Sequence, residues 1–299
     1  MNGIVVIDKP AGMTSHDVVN RLRRILNERS IGHLGTLDPS ATGVLPMVTG
    51  NLTRLAQFYL KMSKVYEGVI RFGFATDTYD AEGEATTTMQ DVVLSHEQVC
   101  KLAESFVGSI EQTPPPFSAK KIQGVPAYKL ARKKQDVQLK PVEVEVKEFE
   151  IFNVEGSCAA FRARVSSGTY IRSLAHDMGT KLGCGAHLQS LRRTTAGEFS
   201  IADARTLEEV DAACKSSKID DLFIHPRKLL PELPSVTASE EVVANIRSGR
   251  PVNLPEFSNS RQVKVFLGQR ELIAIATRIA GTLFHAKIVL SPEKHPAVV

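Results

Sequence analysis

Gly32-His33-Leu34-Gly35-Thr36-Leu37-Asp38-Pro39-Ser40-Ala41-Thr42-Gly43-Val44-Leu45-Pro46 decides how the rest of this 299-residue chain is read. Three glycines and two prolines in so short a run predict neither a regular helix nor a central strand. Asp38 is its only carboxylate, and Pro39 restricts Asp38 to extended or turn geometry. The run therefore presents a lone acid on a stiff loop among Leu37, Val44 and Leu45. Two readings are open on these residues alone: a turn in which Asp38 caps a backbone N–H, or a displayed reactive acid.

Working outward, Gly3 to Ile7 predicts a short buried strand ending at Lys9-Pro10. A helix follows, with Ser15 as its cap, Asp17 in its first turn, and Val18, Val19, Leu22, Ile25 and Leu26 on its apolar face. Arg21, Arg23 and Arg24 occupy its other face. A second helix is expected over Leu52 to Leu60, then a strand over Tyr66 to Phe72. The acidic turn Thr76-Asp77-Thr78-Tyr79-Asp80-Ala81-Glu82-Gly83-Glu84 invites a calcium-loop reading. Placing Gly83 sixth puts Thr78 first, where Asp is required, so the metal is rejected. Ser95 with Gln98 reads as a capping box opening a helix that stops at Gly108.

Pro114-Pro115-Pro116 precludes regular structure, and from Lys120 onward the chain turns basic. Lys121, Lys129, Arg132, Lys133 and Lys134 face only Asp136, which suits a grip on a phosphate backbone or, equally, a solvated loop. Val142, Val144 and Val146, then Phe161, Ala163 and Val165, alternate as two neighbouring strands. Ile171, Leu174, Met178 and Leu182 have helical spacing before Gly183. Tyr170 and Arg172 thus stand at a strand-to-helix junction. Thr206 with Glu209 is another capping box.

The stretch 225–234, with three prolines, marks a boundary. Beyond it, Thr237 and Glu240 predict a short helix, followed by short strands near Val252, Val263–Leu267, Leu272–Thr277 and Leu283–Leu290, as in a small barrel.

Composition narrows the partners. Hydrophobic content of 42% and charged content of 23% fit a globular protein, and a net charge of +4 is compatible with nucleic acid. Cys100, Cys158, Cys184 and Cys214 are scattered without a C-x-x-C pair, arguing against a zinc site or disulfide framework and for a reducing cytoplasm. The N-terminal apolar run is too short for a signal peptide, and no membrane segment is expected. Ser15-His16-Asp17 is no triad, because contiguous residues at a helix start do not converge. No phosphate-binding or dinucleotide glycine pattern appears.

Gly35-Thr36-Leu37-Asp38-Pro39 with Ala41-Thr42-Gly43-Val44-Leu45-Pro46 closely resembles the catalytic motif of TruB-type pseudouridine synthases. The resemblance is strong over residues 3 to 215 and looser beyond. It implies an α+β protein: a pseudouridine-synthase catalytic domain on a mixed β-sheet over residues 1–230, a thumb-like insertion near 115–140, and a small PUA-like β-barrel over 234–292. It implies isomerisation of uridine at position 55 in the T loop of transfer RNA, without cofactor or metal, by a cytoplasmic monomer. Position by position, Asp38 matches the nucleophile and Arg172 its partner. Tyr66 matches the catalytic tyrosine that stacks on the target base and serves to move a proton from it, and Tyr170 and Leu191 match pocket residues. His33 matches the histidine filling the space of the flipped base. Leu34 and Thr36 lie where relatives vary, which leaves the chemistry untouched. The rivals are a non-catalytic RNA-binding or RNA-folding protein on the same scaffold and a uridine-nucleoside hydrolase. A hydrolase wants a second acid to activate water, and no second acid adjoins Asp38 in the motif.

Overall fold

A computed structural model describes residues 1–118, 120–122, 124–133, 135 and 139–290. Of the charged residues read in the insertion, Lys134 and Asp136 lie outside the described residues. In chain order the elements are β1 (Gly3–Lys9), α1 (Ser15–Ile25), β2 (Ile31–His33), β3 (Thr42–Thr49), β4 (Lys64–Phe72), α2 (His96–Glu104) and β5 (Gly108–Gln112). There follow β6 (Lys121–Ile122), β7 (Val125–Pro126), α3 (Ala127–Ala131), β8 (Val142–Glu155), β9 (Cys158–Val165), α4 (Ile171–Leu182), β10 (Ala186–Ala196), β11 (Phe199–Ser200), β12 (Ala204–Arg205) and α5 (Leu207–Lys215). The last are β13 (Ser235–Ala238), α6 (Glu240–Arg247), β14 (Val252–Asn253), β15 (Gln262–Leu267), β16 (Glu271–Ala280) and β17 (Leu283–Val289).

The large sheet runs β12-β1-β3-β10-β4-β9-β8-β5, with β2 on β3 and β11 on β10. β1–β12 and β3–β10 are parallel and the other pairs antiparallel, so the sheet is mixed. In β1 the side chains alternate between two cores: Val5 and Ile7 join the helices on one face, and Ile4 and Val6 pack on the other. All four are fully buried, as a strand covered on both sides requires. β4 and β9 pair through eight residues from Lys64↔Val165 to Arg71↔Cys158, and β8 adds the next ladder.

β3 corrects the reading of the key motif. Thr42 to Thr49, including Gly43 and Pro46, is a strand in mid-sheet between β1 and β10. Pro46 is tolerated because its carbonyl accepts the Leu34 N–H at 2.9 Å just where β2 has ended, so no ladder donor is missed on that side. Gly43, at φ +100°, lies opposite Arg193, where a Cβ would meet the Arg193 carbonyl oxygen at 2.2 Å. Glycine lets the two parallel strands close there.

Other expectations are corrected locally. Thr14, not Ser15, caps α1, in a reciprocal box with Asp17. Residues Gly50–Tyr59 form a 3-10 helix rather than an α-helix. Ser95 caps α2, but only its own half of the box forms; α2 ends at Glu104, and Gly108 opens β5. Ser239 caps α6, while Thr237 belongs to β13, a strand the pattern did not announce. The insertion carries a small β6–β7 hairpin and α3. The Thr206–Glu209 box, the β8–β9 pair and the left-handed Gly183 ending α4 form as read.

The second sheet runs β13-β15-β16-β17-β14, curled as a half-barrel consistent with a PUA-like unit. Val263, Val265, Ile273 and Phe284 pack under α6, while Phe266, Leu272, Ile275, Ile288 and Leu290 join the core of Ile4, Val6, Val44 and Leu55. Lys264 is buried at this junction, donating to the carbonyls of Arg227 and Leu229 at 3.0 and 2.6 Å.

Candidate active site

The sheet order explains the site. The loop 34–41 enters β3, Tyr66 sits on β4, Leu191 on the intervening β10, and Arg172 in the first turn of α4 after β9. Gly179 lets α4 lie against the start of β10, since a Cβ there would meet the Ala186 nitrogen at 2.0 Å.

Hydrogen bonds anchor the loop along its backbone. Ser15 Oγ accepts the Leu37 N–H at 2.9 Å and donates to the Leu37 carbonyl at 3.1 Å. Arg193, fully buried, donates to the carbonyls of Val44, Thr36 and Gly35 at 2.7, 3.2 and 2.9 Å. Lys9, also fully buried, donates to Pro10, Met13 and Pro39 carbonyls at 2.8, 2.7 and 3.0 Å. The Ala41 N–H bonds the Asp38 carbonyl at 3.1 Å. Every carbonyl from Gly35 to Pro39 thus has a donor, which satisfies a loop that makes no ladder.

The Asp38 side chain remains 38% exposed while that of Arg172 is only 6% exposed. The acid therefore faces solvent-accessible space with the cation behind it. Arg172 Nη2 donates to Asp38 Oδ1 at 3.2 Å, and Nε stands 2.9 Å from Oδ2. The guanidinium also donates to the Thr78 and Phe117 carbonyls at 2.9 and 3.0 Å. Its Nη1 lies 3.4 Å from Oδ2 of Asp80, a buried acid. Asp80 was missed by sequence reading. Its own turn is knitted by Thr78 Oγ1 and the Glu82 N–H, donating to Oδ1 at 2.5 and 3.1 Å. The crowding of Asp and Thr signalled those local bonds; its role toward an arginine 92 positions away had no local signature (from 172 and 80).

The cavity at Asp38 is lined by Tyr66, Tyr170, Leu191, Lys64, Ile171 and Leu60, among others. Asp38, Arg172, Tyr66, Tyr170 and Leu191 therefore come together. Gln112 fixes Tyr170, accepting its N–H at 2.8 Å and donating to its carbonyl at 3.0 Å. Burial pushes the Tyr170 hydroxyl above its ordinary pKa, outweighing the neighbouring Ser118 hydroxyl and Arg172. Lys64 is drawn down to about 8, chiefly by burial and then by Arg193. His33 is not part of the lining. It ends β2, where its Nδ1 accepts the Gly35 N–H at 3.4 Å, and burial lowers its pKa. Among the described residues no three His, Cys, Asp or Glu side chains gather where they could hold a metal ion, and no helix is long and apolar enough to cross a membrane.

A second groove lies where the 3-10 helix meets the C-terminal sheet. Arg261, Arg278, His285 and Lys287 line it together with Gln57 and Phe58, so its charged side chains are basic.

The family model described as TruB family pseudouridylate synthase (N terminal domain) matches residues 23–171, and the tRNA pseudouridylate synthase B C-terminal domain model matches residues 172–230. The chain therefore belongs to the TruB family of pseudouridine synthases, enzymes that isomerise uridine to pseudouridine. A relative from Solibacter usitatus, named tRNA pseudouridine synthase B, is 47% identical over 97% of this chain and all of its own length. One of the same name from Geobacter sulfurreducens is 37% identical over 94% of this chain and 95% of its own. Among solved structures, a chain of an H/ACA ribonucleoprotein bound to a substrate RNA containing 2′-deoxyuridine superposes with a TM-score of 0.73 at 26% identity, covering 98% of this chain and 86% of that one.

Proposed function

We propose that this chain converts the uridine at position 55 in the T loop of transfer RNA to pseudouridine, with Asp38 as nucleophile. One observation carries the reading: a half-exposed carboxylate, on a loop whose carbonyls from Gly35 to Pro39 all have donors, ion-paired to a buried arginine beside two tyrosines. The relatives named for transfer RNA supply the substrate class.

The reaction breaks the ribose C1′–N1 bond, turns the base, and joins C1′ to C5, from which a proton leaves. One carboxylate serves this path, because the base stays in the site and no water needs activating. Asp38 answers the charge at C1′, while Arg172 offsets the negative charge of the free acid. The target base must leave the folded loop first. Tyr66 offers it a stacking face, Tyr170 and Leu191 border it, and His33 takes up its former place. Residues 1–230 form the catalytic unit. Residues 234–292, with the basic groove, and the cations of the insertion hold the rest of the RNA by its phosphates. The enzyme acts as a cytoplasmic monomer.

Tritium release from transfer RNA carrying tritium at uridine C5 tests this. Release by the wild type and not by Asp38→Ala is expected. Binding without release would leave an RNA-binding protein on this scaffold, and free uracil would mean hydrolysis.

A further inference from the structure

The turn that delivers Asp80 is held from an unexpected side. Thr78 and Asp80 both approach the same nitrogen of Arg172, the carbonyl of Thr78 at 2.9 Å and Oδ2 of Asp80 at 3.4 Å. Tyr79, between them, turns away from the guanidinium and lays its ring on His176, with centroids 3.8 Å apart and planes 11° apart. His176 stands one turn beyond Arg172 on α4, so both side chains share a helix face. The three consecutive residues 78, 79 and 80 thus grip two successive rungs of one helix.

Two details indicate that the stacked pair is there for its faces. Tyr79 adopts φ +65°, a left-handed conformation that side chains other than Gly, Asn and Asp seldom take. Its backbone is fixed there by the Leu188 N–H donating to the Tyr79 carbonyl at 3.0 Å. His176 Nδ1 is buried with no hydrogen-bond partner among the described residues, and burial lowers the pKa of the ring. Among the described residues the ring is thus engaged through its face and not through Nδ1.

We propose that the Tyr79–His176 stack is a latch that positions Arg172, and through it Asp38, for the reaction. Both are positioning residues: neither lines the Asp38 cavity. The latch rests on the reading of Asp38 and Arg172 given above. Its loss slackens the Thr78 and Asp80 contacts and lowers the chemical rate, leaving RNA affinity in place.

The experiment compares single-turnover tritium release, transfer-RNA dissociation constants and thermal unfolding for six variants. Tyr79→Gly keeps the left-handed backbone and removes the ring; Tyr79→Leu fills the space without a ring. We expect each of these, and His176→Ala, to lose about tenfold in rate with affinity within twofold. Tyr79→Phe and His176→Phe, which keep a stacking face, stay within twofold of wild type. Tyr79→Gly/His176→Ala should be no slower than either single change, because both remove one contact. A wild-type rate in Tyr79→Gly and Tyr79→Leu overturns the proposal, as does a His176→Phe as slow as His176→Ala, or a loss confined to affinity. Should the wild type release no tritium, the proposed function falls and the latch with it. Should wild type be active, Asp38→Ala dead and the ring-free variants unimpaired, the latch alone falls.

Discussion

Arg172 and Asp80 meet at 3.4 Å on the side of the guanidinium opposite to its contacts with Asp38, so one buried cation balances two acids. Lysine cannot reproduce this fork, since a point charge reaches neither both carboxylates nor both carbonyls. Arg172→Lys is expected to lose at least ~100-fold in single-turnover rate and about 3 kcal/mol of stability, the lower end of what breaking a buried pair costs. Urea unfolding and tritium release measure the two. An unchanged rate would remove Arg172 from the chemistry.

The Asp38 backbone is tied within its loop by the Ala41 N–H, and its carboxylate bonds Arg172, to which an asparagine still offers an acceptor oxygen. Asp38→Asn should therefore fold as wild type and bind transfer RNA within about threefold, while isomerisation drops by at least ~1,000-fold. Loss of binding together with turnover would make the acid a structural residue.

Among the described residues Arg193 makes no ion pair; its three bonds go to backbone carbonyls. Arg193→Met leaves those acceptors without donors in a buried setting, at about 1–3 kcal/mol apiece before relaxation. A net destabilisation of about 3 kcal/mol is expected in urea, with Arg193→Lys falling between it and wild type.

Lys9 supplies a pH test. Burial, opposed by the nearby Asp38 charge, lowers its pKa to about 8, against 10.5 for the ordinary side chain. Below pH 8 folded and unfolded chains both hold the proton, and the burial penalty is fully present. Between pH 8 and 10.5 the unfolded chain holds more protons, so this group's contribution to stability rises with pH, by at most about 3 kcal/mol at 1.36 kcal/mol per unit. Lys9→Met should be less stable near neutrality, and the gap to wild type should widen from pH 8 to 10. A constant gap would mean that Lys9 titrates normally.

The basic groove makes a separable prediction. Arg261→Ala/Lys287→Ala changes two cations of that groove, remote in sequence from the Asp38 loop. Affinity for full-length transfer RNA should fall about tenfold and the salt slope by about 2, with the rate at saturation unchanged. An unchanged salt slope would exclude phosphate contacts there.

Much of this site was legible because short motifs carry it. Asp38-Pro39 and the junction at Tyr170 and Arg172 announced displayed side chains through local backbone restrictions, and the structure joins them. What sequence could not disclose are bonds from side chains to distant carbonyls. Lys9 looked like the end of a strand, Arg193 drew no reading of its own, and Ser15 looked like a cap; each instead holds the Asp38 loop. Pro46 misled in the opposite direction. Its strand position is permitted only because β2 ends opposite it, a fact of pairing and not of propensity. β13 was invisible because Ser235–Ala238 is four residues long, directly after the proline-rich stretch, and becomes a strand through Lys264 to Leu267.

The core shared by β1, β3, the 3-10 helix and one face of the C-terminal sheet has a consequence for how the molecule comes apart. Cutting the polypeptide in the stretch 225–234 would not free two self-sufficient halves, because each would expose the apolar surface that the other now covers. Melting should accordingly show one cooperative transition rather than two, and a nicked chain should stay together as a non-covalent pair. A shortened chain that stops before β13 would need polar replacements at Ile4, Val6, Val44 and Leu55 to stay soluble.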